Sequence, residues 1–444
     1  MKHFIRAVKG VLLLVLCMSF ALLTSAGINK LFCVLAAAVV TFIFIRMVIK
    51  PAEIQNDNRR LKTIFFAREL LIVYAWSIAI ELPFLITMAV IADIPFAGKI
   101  IFITVRFLSG AVIVITSVTR LILSSARLGI VTRLVLFLMW WIPIVNIFII
   151  IKACGIAGKE YELETQRNEL FEIRKESEIC KTKYPILMVH GVFFRDMKYL
   201  NYWGRIPREL IRNGAEIYYG NQQSAAGVED SARELAERIK QIVNETGCEK
   251  VNIIAHSKGG LDARYAVSLL GADKYTASLT TICTPHRGCA FADHLLKRSS
   301  YALKYFVAQK YNDTLIKLGD VKPDFLSAVA DLTQESCRLL NSTVPDKEGV
   351  LYQSVGSRMW NSRSASFPLN FTYKLAAKFS PLDNDGLVDV ESMKWGESFK
   401  FIDPKTDRGI SHGDMIDLFR EDIPQFDVRE EYVQIVSGLK ARGL

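Results

Sequence analysis

Long apolar stretches dominate the amino-terminal third of the chain and are separated by short basic loops. Five of these stretches have the roughly 20 residues that a helix needs to cross a hydrocarbon core. They run at about 10–27, 31–49, 70–93, 98–123 and 129–152. The first also looks like a signal peptide, but it lacks a convincing small-x-small cleavage site and a second stretch follows at once. We therefore expect residues 1–157 to be a membrane region with about five transmembrane helices.

Basic residues flank these stretches unevenly, and their distribution predicts an orientation. Lys2, Arg6 and Lys9 precede the first stretch. The loops after the second and fourth stretches are also basic, whereas the intervening turns hold only Lys30 and Lys99. The alternation predicts a multi-pass protein of the cell membrane with a cytoplasmic amino terminus. Five crossings place the rest of the chain outside the cytoplasm, and one crossing more or fewer would reverse that prediction.

Two ionisable residues, Glu81 and Arg106, fall inside the third and fourth stretches. If these stretches form a hairpin, both residues lie within a few turns of the outer surface and could pair. Charge within a membrane helix is a hint of function by default. We favour a structural pair, with Arg106 reaching toward the interface.

The pattern of apolar and polar residues changes after Gly158. Residues 158–183 mix both charge signs with helix formers, which predicts a charged linker. Beyond it, short continuous apolar runs alternate with amphipathic segments. The runs are Pro185–His190, Val251–Ala255 and Leu279–Cys283, and the clearest amphipathic segment aligns Ala232, Leu235, Ile239 and Ile242. Residues 184–444 are thus expected to form one α/β domain, with a mostly parallel sheet and helices on both faces.

Charge differs between these two regions. Residues 1–157 hold 16 Lys/Arg and 5 Asp/Glu, which leaves 39 basic and 40 acidic residues in the rest. The net charge of +10 therefore belongs to the apolar region. Because a nucleic-acid-binding protein would carry clustered basic charge on its folded domain, we expect no nucleic-acid partner.

The stretch NIIAHSKGGLDARY (Asn252–Tyr265) places a serine between an apolar run and a helical pattern. A strand that ends at Ala255, followed by HSKGG and a helix, is the context of a nucleophile elbow. Ala255 and Gly259 are small because strand and helix pass close together there, although the usual first residue is Gly. The turn raises the Ser257 hydroxyl above the sheet and directs the helix amino terminus at the reacting centre.

A second motif precedes the serine. His190 and Gly191 follow the first apolar run directly. In hydrolases of this design, the loop after an early strand supplies one amide of the oxyanion hole. Glycine lets the backbone approach the substrate there. We assign the two oxyanion donors to the backbone N–H groups of Val192 and Lys258.

The base and the acid are expected after the serine, in the order Ser, Asp, His. Of the six histidines, His412 alone suits that order, because His286 and His294 come too soon and the others precede Ser257. His412 would take the serine proton, and an acid would hold its tautomer.

Three acids are available in PLDNDGLVDV, namely Asp383, Asp385 and Asp389. We choose Asp385 because Asn-Asp-Gly is a sharp turn that presents a carboxylate. Asp383 is the second choice.

With these residues identified, the region from Tyr184 to about Leu418 resembles the bacterial triacylglycerol lipases of the α/β-hydrolase fold. It is most similar to the Pseudomonas/Burkholderia group and its Gram-positive relatives. The resemblance rests on YPILMVHGVF, YWGRIPRELIRNGAEIYYGN, VNIIAHSKGGLDARY, TPHRGCAFAD, DLTQESCRLLN, DNDGLVDVESMKWG and SHGDMID, in family order. It implies an α/β-hydrolase domain with a helical lid at about 286–330. It also implies hydrolysis of fatty-acyl esters through an acyl-enzyme, without an organic cofactor.

Metal ligands of this family match the chain poorly. Many of these lipases hold a structural calcium ion with an Asp two residues after the catalytic His, the position of Asp414. The later glutamine ligand would fall at Leu418, and no acidic partner lies around Ala365. Histidines that bind zinc in thermophilic relatives lie between the oxyanion loop and the elbow, where this chain has none. Cys283 and Cys289 could form a disulfide, but small buried thiols fit better.

We therefore expect a membrane-anchored serine lipase or esterase that acts on a lipid or acyl-ester substrate beside the bilayer. The sequence identifies no protein partner. Two alternatives stay open: an acyltransferase that uses the same acyl-enzyme, and a catalytically silent binding domain on a membrane protein. A third hypothesis places a function in the five-span bundle itself, at Glu81 and Arg106.

Overall fold

The computed structural model describes residues 2–24, 29–54, 56, 58–91, 95–139, 143–192, 201–298, 301–317, 322–405 and 407–444. The chain divides into two compact units, Met1–Glu172 and Ile173–Leu444. We call them the helical unit and the sheet unit. The division falls inside the segment 158–183 that the sequence assigns to a linker.

The helical unit contains six helices among its described residues. They are α1 (Lys2–Ala21), α2 (Lys30–Ile49), α3 (Arg59–Ile91), α4 (Phe96–Ser124), α5 (Ile130–Met139) and α6 (Pro143–Arg174). Within the described residues, four stretches are long and apolar enough to cross a membrane, at His3–Thr24, Lys30–Ile49, Arg59–Glu81 and Phe96–Ser124. The predicted fifth crossing, at 129–152, overlaps α5 and the start of α6, and residues 140–142 lie outside the described ranges. The number of five and the orientation that depends on it stay predictions.

The helices of this unit pack through apolar side chains and also expose large apolar side chains. Leu61, Ile64 and Leu71 of α3 are buried against Leu121 of α4, whereas many residues on the outer faces, such as Phe107, are exposed. Helices that are apolar all round suit a hydrocarbon environment. The predicted pairing of two intramembrane charges is confirmed, because Arg106 donates to both the Glu81 carboxylate and Ser77.

The sheet unit contains a six-stranded sheet in which all neighbouring strands are parallel. The strands are β1 (Ile186–Val189), β2 (Ile217–Tyr219), β3 (Val251–His256), β4 (Thr276–Ile282), β5 (Leu351–Ser357) and β6 (Ser398–Ile402). Their order across the sheet is β2-β1-β3-β4-β5-β6. This is the predicted parallel α/β architecture, and the three apolar runs form the adjacent central strands β1, β3 and β4.

Helices cover both faces of the sheet. They are α7 (Ile206–Arg212), α8 (Val228–Thr246), α9 (Lys258–Leu269), α10 (Ala290–Arg298), α11 (Tyr301–Lys317), α12 (Phe325–Ala330), α13 (Gln334–Thr343), α14 (Leu369–Phe379), α15 (Val390–Met393) and α16 (Val428–Ala441). Alternate strand residues explain the two layers: Leu187 and Ile253 pack with α8 and α9, whereas Ile186 and Ile254 pack with α7 and α16. Residues of each strand point to opposite faces, and both faces are therefore buried.

The predicted lid segment, 286–330, contains α10, α11 and α12. Large side chains of α11 are exposed, among them Tyr301, Phe306 and Ile316. The role of this segment as a lid stays a prediction.

Candidate active site

Ser257 lies at the junction of β3 and α9, on the corner that the sequence predicts. Its backbone has φ 55° and ψ −131°, a conformation that a non-glycine residue adopts at a cost of about 1–3 kcal/mol. The strand and the helix hold it there, and its N–H donates to the carbonyl of Ile282 over 2.9 Å. A Cβ on Gly259 would lie 2.4 Å from the carbonyl oxygen of His190. Glycine at that position is therefore required by the close approach of α9 to the loop after β1.

Asp385 and His412 form a buried acid–base pair. The Nδ1 atom of His412 lies 2.7 Å from Oδ2 of Asp385, and the His412 N–H donates to the Asp385 carbonyl over 2.9 Å. The other carboxylate oxygen accepts the N–H groups of Leu387 at 3.1 Å and Val388 at 2.9 Å. The turn through Gly386, with φ 104°, brings these amides back onto the carboxylate. Both oxygens of Asp385 are thus held, and one of them faces the imidazole.

The other two acids of the same loop have different partners. Asp383, the second choice from the sequence, is exposed and forms an ion pair with Arg358. Asp389 precedes α15 as its N-cap residue, and burial raises the pKa of its carboxyl group. Among the three, Asp385 is the acid that contacts His412.

Ser257 and His412 lie at the same edge of the sheet. The ring of His256, the residue before the serine, has its centroid 4.5 Å from that of His412. Among the described residues, the Ser257 hydroxyl makes no hydrogen bond to the imidazole. The structure therefore brings the three residues to one site while leaving the contact between hydroxyl and imidazole open.

The loop after β1 runs directly against the serine. A Cβ on Gly191 would lie 2.8 Å from both Cβ of Ser257 and the hydroxyl oxygen of Tyr202. Nδ1 of His190 lies 2.8 Å from the carbonyl oxygen of Gly191, and Nε2 lies 3.0 Å from that of Gln222, so the ring links this loop to the segment after β2. Val192 is buried, and residues 193–200 lie outside the described ranges.

Lys258, the first residue of α9, is anchored by its side chain. Its Nζ atom donates to Asp262 over 2.7 Å and to Ser231 over 3.0 Å, and all three groups are buried. Burial raises the pKa of Asp262 to about 7, against the attraction of the lysine. The anchored side chain holds the first turn of α9, directly after Ser257.

Two features of the site escape the sequence patterns. The Tyr202 hydroxyl lies 2.7 Å from Nδ1 of His256, and Trp203 packs edge-on against the same ring. Burial, and then the neighbouring His412, lower the pKa of His256 well below its usual value.

The second feature is Cys283, whose Sγ lies within 4.8 Å of an Asp385 carboxylate oxygen and a His412 ring nitrogen. All eight cysteines are free, so no disulfide joins it to Cys289. For the first feature, the adjacent aromatic residues Tyr202 and Trp203 were the signal that the sequence offered. For Cys283 the sequence offered none.

The surroundings of Asp414 do not fit a calcium site. Its carboxylate accepts from Arg408 at 2.7 Å and from both the N–H and the hydroxyl of Ser411, at 2.8 and 2.7 Å. A guanidinium therefore occupies the position of a cation, and Leu418 offers no oxygen ligand from its side chain. Calcium needs six to eight oxygen ligands.

Comparisons with known proteins find serine esterases and lipases among the similar sequences. Residues 181–359 match the family profile described as "Putative serine esterase (DUF676)". The chain is similar to a triacylglycerol lipase of Pseudarthrobacter phenanthrenivorans, with 36% identity over 37% of this chain and 54% of the relative. It is also similar to a triacylglycerol lipase of Vibrio cholerae, with 31% identity over 49% of this chain and 76% of the relative. The chain thus spans about half the length of the first relative and three quarters of the second.

One solved structure similar to the chain is the mature form of a Bacillus licheniformis lipase. The two are 20% identical, and the match covers 54% of this chain and 88% of the lipase, with a TM-score of 0.41.

Proposed function

Because the chain belongs to the triacylglycerol lipase family, we propose that it is a membrane-anchored serine hydrolase that cleaves fatty-acyl esters. The observation that carries the proposal is the hydrogen bond between Asp385 and His412 beside the strained Ser257 corner. Asp385 has no cation among its described hydrogen-bond partners, so its charge acts on the imidazole.

In the proposed reaction, the Ser257 hydroxyl attacks the carbonyl carbon of the ester while Nε2 of His412 takes its proton. The carbonyl oxygen becomes an oxyanion, which the N–H groups of Val192 and Lys258 stabilise; removal of one such donor typically costs about 2.7–4 kcal/mol. His412 then protonates the leaving alcohol, and an acyl-enzyme remains on Ser257. A water molecule, deprotonated by His412, releases the fatty acid by the reverse sequence of steps.

Asp385 acts through His412 in this scheme. Its Oδ2 atom accepts the Nδ1 proton, which leaves Nε2 as the acceptor for the serine proton, and it stabilises the imidazolium as that forms. The hydroxyl and the imidazole must come within hydrogen-bond distance when substrate is bound. Such contacts are often long in unliganded sites and tighten in the complex.

The four apolar helices support membrane attachment of this activity. We propose that these helices, together with the predicted fifth crossing at 129–152, hold the sheet unit on the extracytoplasmic side of the cell membrane, with α10 to α12 acting as a lid. The substrate would then be a lipid or an acylated component of the envelope close to the bilayer.

Fluorophosphonate labelling of the full-length protein in detergent micelles tests the nucleophile. We expect labelling of the wild type, together with hydrolysis of p-nitrophenyl esters and triacylglycerols, and loss of both in Ser257→Ala. Ser268→Ala is the matched control. Ser268 is a buried serine of α9, the helix that follows Ser257, and its hydroxyl donates to the carbonyl of Pro345. Labelling that persists in Ser257→Ala, or a folded wild type that neither reacts nor hydrolyses esters, would contradict the proposal.

A further inference from the structure

Cys283 occupies a backbone position that suits glycine. It follows β4 directly, next to the elbow, and its N–H donates to the carbonyl of Val355 over 2.8 Å. Its φ is 48°, in the left-handed region that side chains other than glycine enter at a cost. A glycine would adopt this conformation without that cost. The chain nevertheless carries a thiol here.

The Cys283 thiol lies close to the polar groups of Asp385 and His412. Cys283 is completely buried, and its Sγ, a carboxylate oxygen of Asp385 and a ring nitrogen of His412 all lie within 4.8 Å of one another. Sγ also lies 3.6 Å from the hydroxyl oxygen of Ser357, which is buried as well. Burial first, and then the negative charge of Asp385, raise the pKa of the Cys283 thiol well above its usual value. The group is therefore an S–H donor.

Asp385 has one acceptor position left for such a donor. An ionised carboxylate offers about four lone-pair positions. The N–H groups of Leu387 and Val388 occupy two of them on Oδ1, and Nδ1 of His412 occupies one on Oδ2. A buried donor that lacks an acceptor is costly, and the carboxylate is the strongest acceptor near the thiol.

We propose that Cys283 is a positioning residue for the acid–base pair, with its S–H directed at the remaining lone pair of Asp385. The Ser357 hydroxyl donates to the sulfur from the other side, and the hydrogen bonds run from Ser357 through Cys283 and Asp385 to His412. The thiol touches neither substrate nor the reacting atoms. It restrains the carboxylate so that Oδ2 stays aligned with the imidazole. This inference rests on the proposed function of the site.

Three variants of the full-length protein in micelles separate the donor from the backbone strain. Cys283→Gly removes both the thiol and the left-handed strain, Cys283→Ala removes the thiol but keeps the strain, and Cys283→Ser keeps a donor. We expect kcat for a short-chain ester to fall about five- to tenfold in the Gly and Ala variants, with KM unchanged, and to stay within about twofold in Ser. Cys289→Ala is the matched control, a buried thiol whose removal should leave kcat unchanged.

Stability and pH dependence distinguish this role from simple packing. Cys283→Gly should unfold at a higher temperature than Cys283→Ala although both lose rate. The acid limb of the pH–kcat profile should move to higher pH in both, because the carboxylate charge then acts undiminished on the imidazole. The titratable groups around the thiol are Asp385, His412 and Tyr432, with Asp389 facing Asp385 and His256 facing His412.

The outcomes also separate this inference from the proposed function. If the wild type hydrolyses esters and Ser257→Ala does not, the function stands, and wild-type kcat and pH profiles in Cys283→Gly and Cys283→Ala would overturn the positioning role. Failure of Cys283→Ser to restore the rate would overturn it as well. If the wild type were inactive, the low-field proton resonance of His412 Nδ1–H would still report the contact. It should shift in Gly and Ala and stay in place in Ser, and an unchanged resonance in all three would overturn the inference.

Discussion

The buried glutamates of the helical unit and the buried Asp385 of the sheet unit have different kinds of partner. In the helical unit each of three buried glutamates accepts an arginine from another helix: Glu69 from Arg6, Glu81 from Arg106 and Glu160 from Arg60. In the sheet unit Asp385 accepts two backbone amides and an imidazole instead. A guanidinium neutralises the carboxylate and ties two helices together. Backbone amides and an imidazole carry no permanent positive charge, so the carboxylate can stabilise the ring when the ring takes up a proton.

Within the sheet unit, the same difference between a cationic partner and an uncharged partner distinguishes Asp385 from two other buried acids. Asp262 and Asp414 flank the site, but each is paired with a cation, Lys258 and Arg408 respectively. Proximity to the serine thus does not make an acid catalytic. The partner that receives its charge decides its role, and each prediction below tests this rule on one carboxylate.

The largest effect is expected at Asp385. Asp385→Asn keeps the shape but removes the charge and can fix the wrong imidazole tautomer, so kcat should fall about 10⁴-fold. Hydrolysis of a short-chain ester by the full-length protein in micelles measures it, with circular dichroism to verify folding. Asp383→Asn, two residues away and exposed, should stay within about twofold of the wild type. Equal losses in the two variants would remove the distinction on which the proposed site depends.

A structural loss without a catalytic one is expected at Glu81. Glu81→Gln leaves Arg106 without an opposite charge among apolar side chains, which should lower the free energy of unfolding of the helical unit by about 3 kcal/mol. Unfolding of the full-length protein in micelles measures this loss, and kcat of the folded fraction should not change. Glu53→Gln, which breaks the exposed pair with Lys50, should cost less than about 0.5 kcal/mol. A large fall in kcat for Glu81→Gln would instead give this pair a part in the activity.

A pH-dependent effect on stability is expected at Asp262. In the unfolded chain an Asp loses its proton near pH 4, whereas burial raises the pKa of Asp262 to about 7 in the folded protein. The folded state therefore binds more protons in this window. The stability that the group contributes is present below about pH 4 and is lost as the pH rises through about 7.

The difference between wild type and Asp262→Asn isolates this contribution. Unfolding midpoints at pH 5 and pH 7.5 should show the wild type losing stability relative to the variant, because Asn does not ionise. The exposed Asp230→Asn, on α8, should show the same difference from the wild type at both pH values. A difference for Asp262→Asn that does not change with pH would mean that the acid does not change its ionisation between pH 5 and pH 7.5, which contradicts the prediction.

The smallest effect is expected from calcium at Asp414. Because Arg408 already occupies the cation position beside this carboxylate, millimolar calcium or a chelator should shift the unfolding temperature by less than about 1 °C. Thermal unfolding of the full-length protein under both conditions measures it. A rise of several degrees with calcium, lost in Asp414→Asn, would show that the ion displaces the arginine.

Prediction from the sequence succeeded for structural elements that are specified by residues close together in the chain. The strands β1, β3 and β4 follow from continuous apolar runs, α8 follows from helical periodicity, and four of the apolar helices follow from the length of their apolar stretches. Each of these patterns spans a whole element. The corner at Ser257 follows from the small residues that a close strand–helix approach requires. Asp385 was separated from Asp383 and Asp389 by turn chemistry alone, since no pattern within seven residues says which carboxylate meets a distant histidine.

The sequence by itself predicted the strands β1, β3 and β4, helix α8, four of the apolar helices, the corner at Ser257 and the order of Ser257, Asp385 and His412. Only the tertiary structure showed that the imidazole contacts Asp385 and not Asp383, that Arg408 is the partner of Asp414, and that the thiol of Cys283 lies beside the acid–base pair. The reason is that periodicity and turn preferences act over a few residues, whereas the role of a buried charge depends on groups that lie far apart in the chain. Folding brings these groups within a few ångströms of one another and removes them from water, which strengthens the electrostatic interactions between them.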